Sequence, residues 1–229
     1  MRKALMLARR EIVEQYSERS SILRALLLTA LPIVILQANR GGRSPEALLV
    51  FALQAALLPA ATAINAAAGS FAAEKEAQTM VPLLVAPIRD LEIVVGKLIA
   101  VLAPAMVLSA LSLVAFYAAA SASFGAAATR VLEPATMAKL FALSVLFILT
   151  IGAWVMVVSA RVATQRSAQQ IAGLVLAGLV IGTTAIVSLV QSVPEGFIVG
   201  LIVAVLLSDL VAMELTRRLW DREEAVARL

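Results

Sequence analysis

Few side chains in this chain are equipped for chemistry. Its 229 residues include no cysteine and no histidine, which removes thiolate nucleophiles, disulfides, imidazole bases and the commonest zinc ligands. Carboxylates, ammonium and guanidinium groups remain, and the longest region where they mix between membrane-length apolar runs is one stretch. Glu74-Lys75-Glu76 opens a stretch of mixed charge that closes on Gly96-Lys97, with apolar sequence on both sides. The Gly-Lys pair is not part of a phosphate-cradling loop, because Leu98 follows where Ser or Thr is needed and Leu91 stands where such a loop needs glycine. Any work done by the chain therefore draws on a partner or an ion gradient. One further acid, Asp209, sits inside an apolar run, where an isolated charge costs about 2.5–3.5 kcal/mol on insertion scales. It reads as an ion or substrate site, as a buried acid bonded to a neighbouring helix, or, lying about two helical turns before Arg217, as an acid close enough to the cytoplasm to be solvated. Gln54 and Asn65 share a face of one helix and read either as pore lining or as interhelical hydrogen-bonding groups.

The elements that must position these groups are membrane helices. The chain is 62% apolar and 15% charged with a mean hydropathy of +0.96, beyond the composition of soluble domains. A crossing needs about 20 apolar residues, and the length accommodates six. The fold expected is all-α and polytopic, with spans at Ile22–Ala38, Glu46–Phe71, Ile93–Ala119, Ala138–Ala160, Gln169–Gln191 and Gly196–Thr216. Ahead of them, Leu5, Ala8, Ile12 and Tyr16 recur at helical spacing while Arg2, Arg9, Arg10, Glu14 and Glu18 take other faces, the pattern of a helix lying in the membrane interface. Domain organisation follows: an interfacial helix over residues 1–20, a transmembrane domain over 21–216 with a cytoplasmic region at 73–92, and a charged tail over 217–229. Residues 120–137, rich in Ala, Ser and Gly, form the longest connection on their side.

Orientation comes from counting basic residues. Arg2, Lys3, Arg9, Arg10, Arg19, Arg24, Lys75, Arg89, Lys97, Arg161, Arg166, Arg217, Arg218, Arg222 and Arg228 fall on the side of the N-terminus, whereas only Arg40, Arg43, Arg130 and Lys139 fall opposite. The positive-inside rule puts both termini and the 73–92 region in the cytoplasm. The formal charge of +4 is thus an orienting charge at the ends of apolar runs, and membrane lipid rather than nucleic acid is the expected surroundings. The run Ala4–Ala8 is too short for a signal-peptide core, which predicts a mature, cytoplasmic N-terminus.

Within the cytoplasmic region, Pro82 and Pro87 interrupt any continuous helix before Gly96-Lys97 restarts one. Met80, Val81, Leu83, Leu84, Val85 and Ile88 form an apolar cluster rimmed by charge, suited to docking a partner or to lying on the bilayer. Glu-Lys-Glu followed by Thr79, Leu83-Leu84, Pro87 and Gly96-Lys97 resembles the pattern after the second span of ABC-2 type transporter permeases. The six-span layout and the leading interfacial helix are similar to that family too. The resemblance implies that Glu74 to Leu84 form a coupling helix entering a cleft on a separate ABC ATPase subunit. The docking set it implies is Glu74, Glu76, Thr79, Met80, Leu83, Leu84, Pro87 and Lys97, and the helix from Arg2 to Glu18 corresponds to the elbow helix.

The same resemblance implies no cofactor on this chain, ATP and Mg on the partner ATPase, and a second permease copy or a homologous permease. Gly178 and Gly182, a small-xxx-small step in the fifth span, are then the candidate contact between permeases. The chain departs from large-pore members in one respect. Gln169 to Thr216 is consumed by two crossings, which leaves no room there for an elaborate external gate; a lid can come only from Ser188 to Phe197 or from the 120–137 segment. The expected function is the non-catalytic permease subunit of an ABC exporter in a bacterial or archaeal inner membrane. Alternatives of other classes are an ion-coupled transporter or channel using Asp209, a membrane scaffold, and a haem-exporter-like membrane subunit.

Overall fold

The computed structural model describes residues 2–17, 19–38, 45–76, 89–174, 177 and 195–219. Among these residues the regular structure is helical throughout. We label the helices α1 (Arg2–Gln15), α2 (Arg19–Ala38), α3 (Pro45–Leu57), α4 (Ala60–Glu76), α5 (Asp90–Phe124), α6 (Ala126–Val131), α7 (Pro134–Arg161) and α8 (Glu195–Leu219). Residues 165–174 are also helical. Four helical stretches, Arg19–Ala38, Ala47–Glu76, Asp90–Phe124 and Pro134–Arg161, are long and apolar enough to cross a membrane. The expected fifth span falls largely outside the described residues, and α8 covers the sixth as one continuous helix of 25 residues.

The helix ends follow local chemistry. Asp90 and Glu92 occupy the first turn of α5, where carboxylates complement the helix dipole, and Glu92 Oε2 accepts the Arg89 N–H at 3.2 Å. Pro134 opens α7, a first-turn position where a missing N–H is harmless. Arg217 and Arg218 sit in the last turn of α8, where cations are favoured.

Two compact units are present. The first comprises Met1–Gln15, Ala63–Leu102 and Leu149–Leu229. Its tightest packing is built on small residues: Ala63, Ala67, Ala68 and Ala72 of α4 are fully buried around Phe71, and Gly152 of α7 lies so near α5 that a Cβ there would meet Val101 Cγ1 at 3.3 Å. Ser159 of α7 accepts the N–H groups of Phe71 and Ala72 at 3.1 and 3.0 Å and donates to the Ala68 carbonyl at 2.8 Å. A serine thus stitches α7 to α4 where alanines let the backbones approach.

The second unit comprises Tyr16–Thr62 and Ala103–Ile148. Leu36, Leu48, Ala52, Ala55, Phe116, Ala120, Ala128 and Leu132 form its core. The second expected span is not one helix here. Pro59 lacks an N–H and cannot bond the carbonyl four residues back, so the chain turns at Leu58-Pro59 between α3 and α4. Ser109 Oγ donates to the Ala56 carbonyl at 2.8 Å beside this break, as a carbonyl near a helix interruption in a bilayer requires.

Residues 120–137 differ from the expected loop. Their alanines favour helix, and α5 continues to Phe124; Gly125, at φ 56°, makes the turn into α6, in the left-handed region that glycine enters without steric cost. On α2 only Ala25, Pro32 and Leu36 are buried, while Leu23, Leu26, Leu27, Leu31 and Val34 are exposed, an apolar surface suited to lipid.

Helix α1 packs by the face that carries Ala4, Leu7 and Ala8, and Leu5, Met6 and Val13 are exposed. The reason is its seat on α5, where a Cβ on Gly96 would lie 2.9 Å from the Ala4 carbonyl oxygen and 3.1 Å from Leu7 Cδ2. Small residues are needed on the contact face. Gly96→Ala is expected to lift α1 from α5, raising amide hydrogen exchange over residues 4–11 without impairing membrane insertion; unchanged exchange there would contradict the contact.

Candidate functional site

The three charges of Glu74-Lys75-Glu76 each have a separate partner within the first unit. Glu74 Oε1 lies 2.8 Å from Lys97 Nζ on α5. Lys75 Nζ donates to the Ala160 carbonyl near the end of α7, the carbonyl end of a helix that favours a cation. Glu76 Oε2 accepts the Gln165 N–H at 2.9 Å, where the helical stretch 165–174 begins and donor groups lack intrahelical partners. One turn of α4 therefore fastens three other helix ends.

Lys97 is 1% exposed. Its ammonium donates to Glu11 Oε1 of α1 at 2.6 Å, Glu74 Oε1 at 2.8 Å and the Ser70 carbonyl at 2.6 Å, which uses all three N–H donors. The Phe71 ring centroid lies 5.1 Å from Nζ, within cation–π range. Two carboxylates share one ammonium, and Glu74 Oε2 is buried with no hydrogen-bond partner. Burial pushes the Glu11 carboxyl above its ordinary range, against the opposing charge and hydrogen bond of Lys97.

Glu74 and Lys97, assigned from the family pattern to docking, thus have partners inside the chain, and so does one oxygen of Glu76, whose side chain is otherwise exposed. Thr79, Met80, Leu83, Leu84 and Pro87 lie outside the described residues, as do Gly178 and Gly182. Gln54 is half-buried and Asn65 exposed, with a turn at Leu58-Pro59 between them in the chain. Asp209 is 3% exposed. Its Oδ2 accepts a hydrogen bond from Thr150 Oγ1 of α7 at 3.1 Å, and its Oδ1 is buried with no hydrogen-bond partner. One turn along α7, Trp154 Nε1 donates to Ser208 Oγ at 3.0 Å.

Three contributors escaped sequence reasoning: Glu11, Ser159 and Gln165. For Glu11 a signal existed. It falls on the helical face of Ala4, Leu7 and Ala8, and Lys97, set in apolar sequence just after a glycine, needs a counter-charge. Ser159 and Gln165 carry no comparable signal, since what they bond is backbone of distant segments.

Together these features define a helical membrane protein whose charged groups hold helix ends instead of conducting bond chemistry. A family model described as ABC-2 family transporter protein matches residues 7–215, and the chain belongs to that family. It is the membrane subunit of an ABC transporter, a transport component rather than a catalytic one, and the family implies an ABC ATPase partner in general. Comparison with curated proteins found no match.

Two predictions follow from the buried cluster. Lys97→Met strands two carboxylates and should cost about 3–5 kcal/mol, read as a lower unfolding midpoint in detergent, and the triple change E11Q/E74Q/K97M should recover most of that loss. Equal losses in the single and triple variants would contradict a charge-based role. The second concerns pH. An acid whose carboxyl is raised on folding stabilises the fold most when protonated. The Glu11 contribution is therefore complete below the ordinary value of 4.5 and is lost as pH rises through the higher folded value. Relative to Glu11→Gln, the parent chain should lose stability as pH climbs above that range, and a difference that does not vary with pH would refute the assignment.

Proposed function

We propose that this chain is the permease of an ABC exporter, crossing a bacterial or archaeal inner membrane six times with both termini cytoplasmic. It pairs with a second permease copy or a homologous permease, with Gly178 and Gly182 at the close-approach step between them. Two ABC ATPase subunits, which hold the ATP and Mg, engage residues 77–88. In this reading Met80, Leu83 and Leu84 insert into the ATPase subunit, with Thr79, Pro87 and the exposed side of Glu76 beside them. Glu74 and Lys97 are positioning residues that set the root of the docking segment.

One observation carries the reading. Residues 77–88 lie between Glu76, the last residue of α4, and the start of α5 at Asp90, and the helices on either side of that segment are tied by Glu74, Lys75, Glu76 and Lys97 to α1, α7 and the 165–174 stretch. A push on residues 77–88 is therefore delivered to several helix ends together. That is the mechanical requirement for nucleotide-driven closure of the ATPase subunits to bias an equilibrium between inward-open and outward-open arrangements.

The test is purification from native membranes with identification of bound subunits. An ABC ATPase should be recovered with the intact chain, and Leu83→Asp with Leu84→Asp should reduce that recovery at least about tenfold, since burying two unpaired charges in an apolar contact is prohibitive. Recovery of no ATPase subunit, or full recovery with the double variant, would overturn the docking assignment.

A further inference from the structure

The link between α7 and the 165–174 stretch is held more firmly than a connecting turn requires. Arg161 ends α7, and helix resumes four residues later. The Ala160 carbonyl just before the link accepts Lys75 Nζ, and the Gln165 N–H just after Thr164 donates to Glu76 Oε2 at 2.9 Å. The Gln165 side chain lies against α4 so closely that a Cβ on Gly69 would stand 3.3 Å from its Nε2. Thr164 Oγ1 accepts the Ser167 N–H at 3.3 Å, capping the helix that follows, and Ala168 and Ala172 are buried behind it.

What this anchored link turns outward is positive. Residues 161–167 contain two arginines and no acid, and Arg161, Ala163, Arg166 and Ser167 are exposed. Its two fixing points are Lys75 and Glu76, the last two described residues before the 77–88 segment.

We propose that residues 161–167 are a second contact element for the ABC ATPase subunit, presenting Arg161 and Arg166 to acidic side chains of that subunit next to the root of the 77–88 segment. The inference rests on the docking reading above and extends it to a part of the chain that reading did not include. Anionic lipid headgroups also attract arginine, but headgroups adapt to any arrangement of cations and need no anchored backbone. A folded partner surface gains affinity from a contact whose geometry is fixed in advance. Anchoring by Lys75 and Glu76 to the turn that leads into 77–88 therefore favours the protein partner.

The experiment measures affinity of the ATPase subunit recovered from native membranes for the permease in nanodiscs of phosphatidylcholine alone and of phosphatidylcholine with phosphatidylglycerol. R161E/R166E should weaken binding by about tenfold or more in both disc types and reduce its salt dependence, with R161Q/R166Q falling between. Unchanged affinity in both pairs, with the Leu83 and Leu84 aspartate variant still defective, would overturn the second contact and leave the docking reading standing. Weakening seen only with phosphatidylglycerol would assign the arginines to lipid and also overturn it. Loss of effect in the Leu83 and Leu84 variant as well would count against the docking reading itself.

Discussion

A lysine ammonium that is 1% exposed cannot be left without counter-charge, since the effective penalty for burying an ion is several kcal/mol. Lys97 meets that demand by drawing Glu11 from α1 and Glu74 and the Ser70 carbonyl from α4 onto α5. Three segments separated by dozens of residues thereby acquire one meeting point. Two carboxylates answer one ammonium. Burial falls most heavily on Glu11, whose carboxyl is pushed up.

The small residues around this cluster are part of the same constraint. Gly96 admits the Ala4 carbonyl, and the buried alanines of α4 bring α7 near enough for Ser159 to bond the α4 backbone. The Glu-Lys-Glu turn then binds helix ends by their exposed backbone groups and by a buried cation. That is a structural use of charge. It also means that reversing Glu74 or Glu76 would disturb this joint as well as any surface for a partner, so the apolar residues at 80, 83 and 84 are the cleaner probes of docking.

Much of the architecture was legible because its causes are local. Apolar run lengths indicated membrane helices, and the Glu-Lys-Glu and Gly-Lys spacing pointed to the family that the match over 7–215 bears out. The expectation failed where local signals compete. Leu5, Ala8, Ile12 and Tyr16 were read as the apolar stripe of an interfacial helix; the structure buries Ala8 and leaves Leu5 exposed, because the contact with Gly96 selects side chains by size before hydrophobicity. The alanines of 120–137 were read as a connection because glycine and serine accompany them, but they extend helix on either side of the turn at Gly125, and the helix breaks again only at Leu132-Glu133.

The sequence by itself determined that this chain lies in a membrane as helices and to which family it belongs, because composition, run length and short-range spacing decide those properties. The tertiary structure decided what its charged residues are for. Whether Glu74 reaches outward or inward depends on Lys97, and whether Glu76 is a surface acid or a helix cap depends on Gln165, 89 positions away. Such pairings follow from which helix ends come together. That in turn depends on packing at Gly96, Ala68 and Ser159, a three-dimensional fit with no period in the sequence to reveal it.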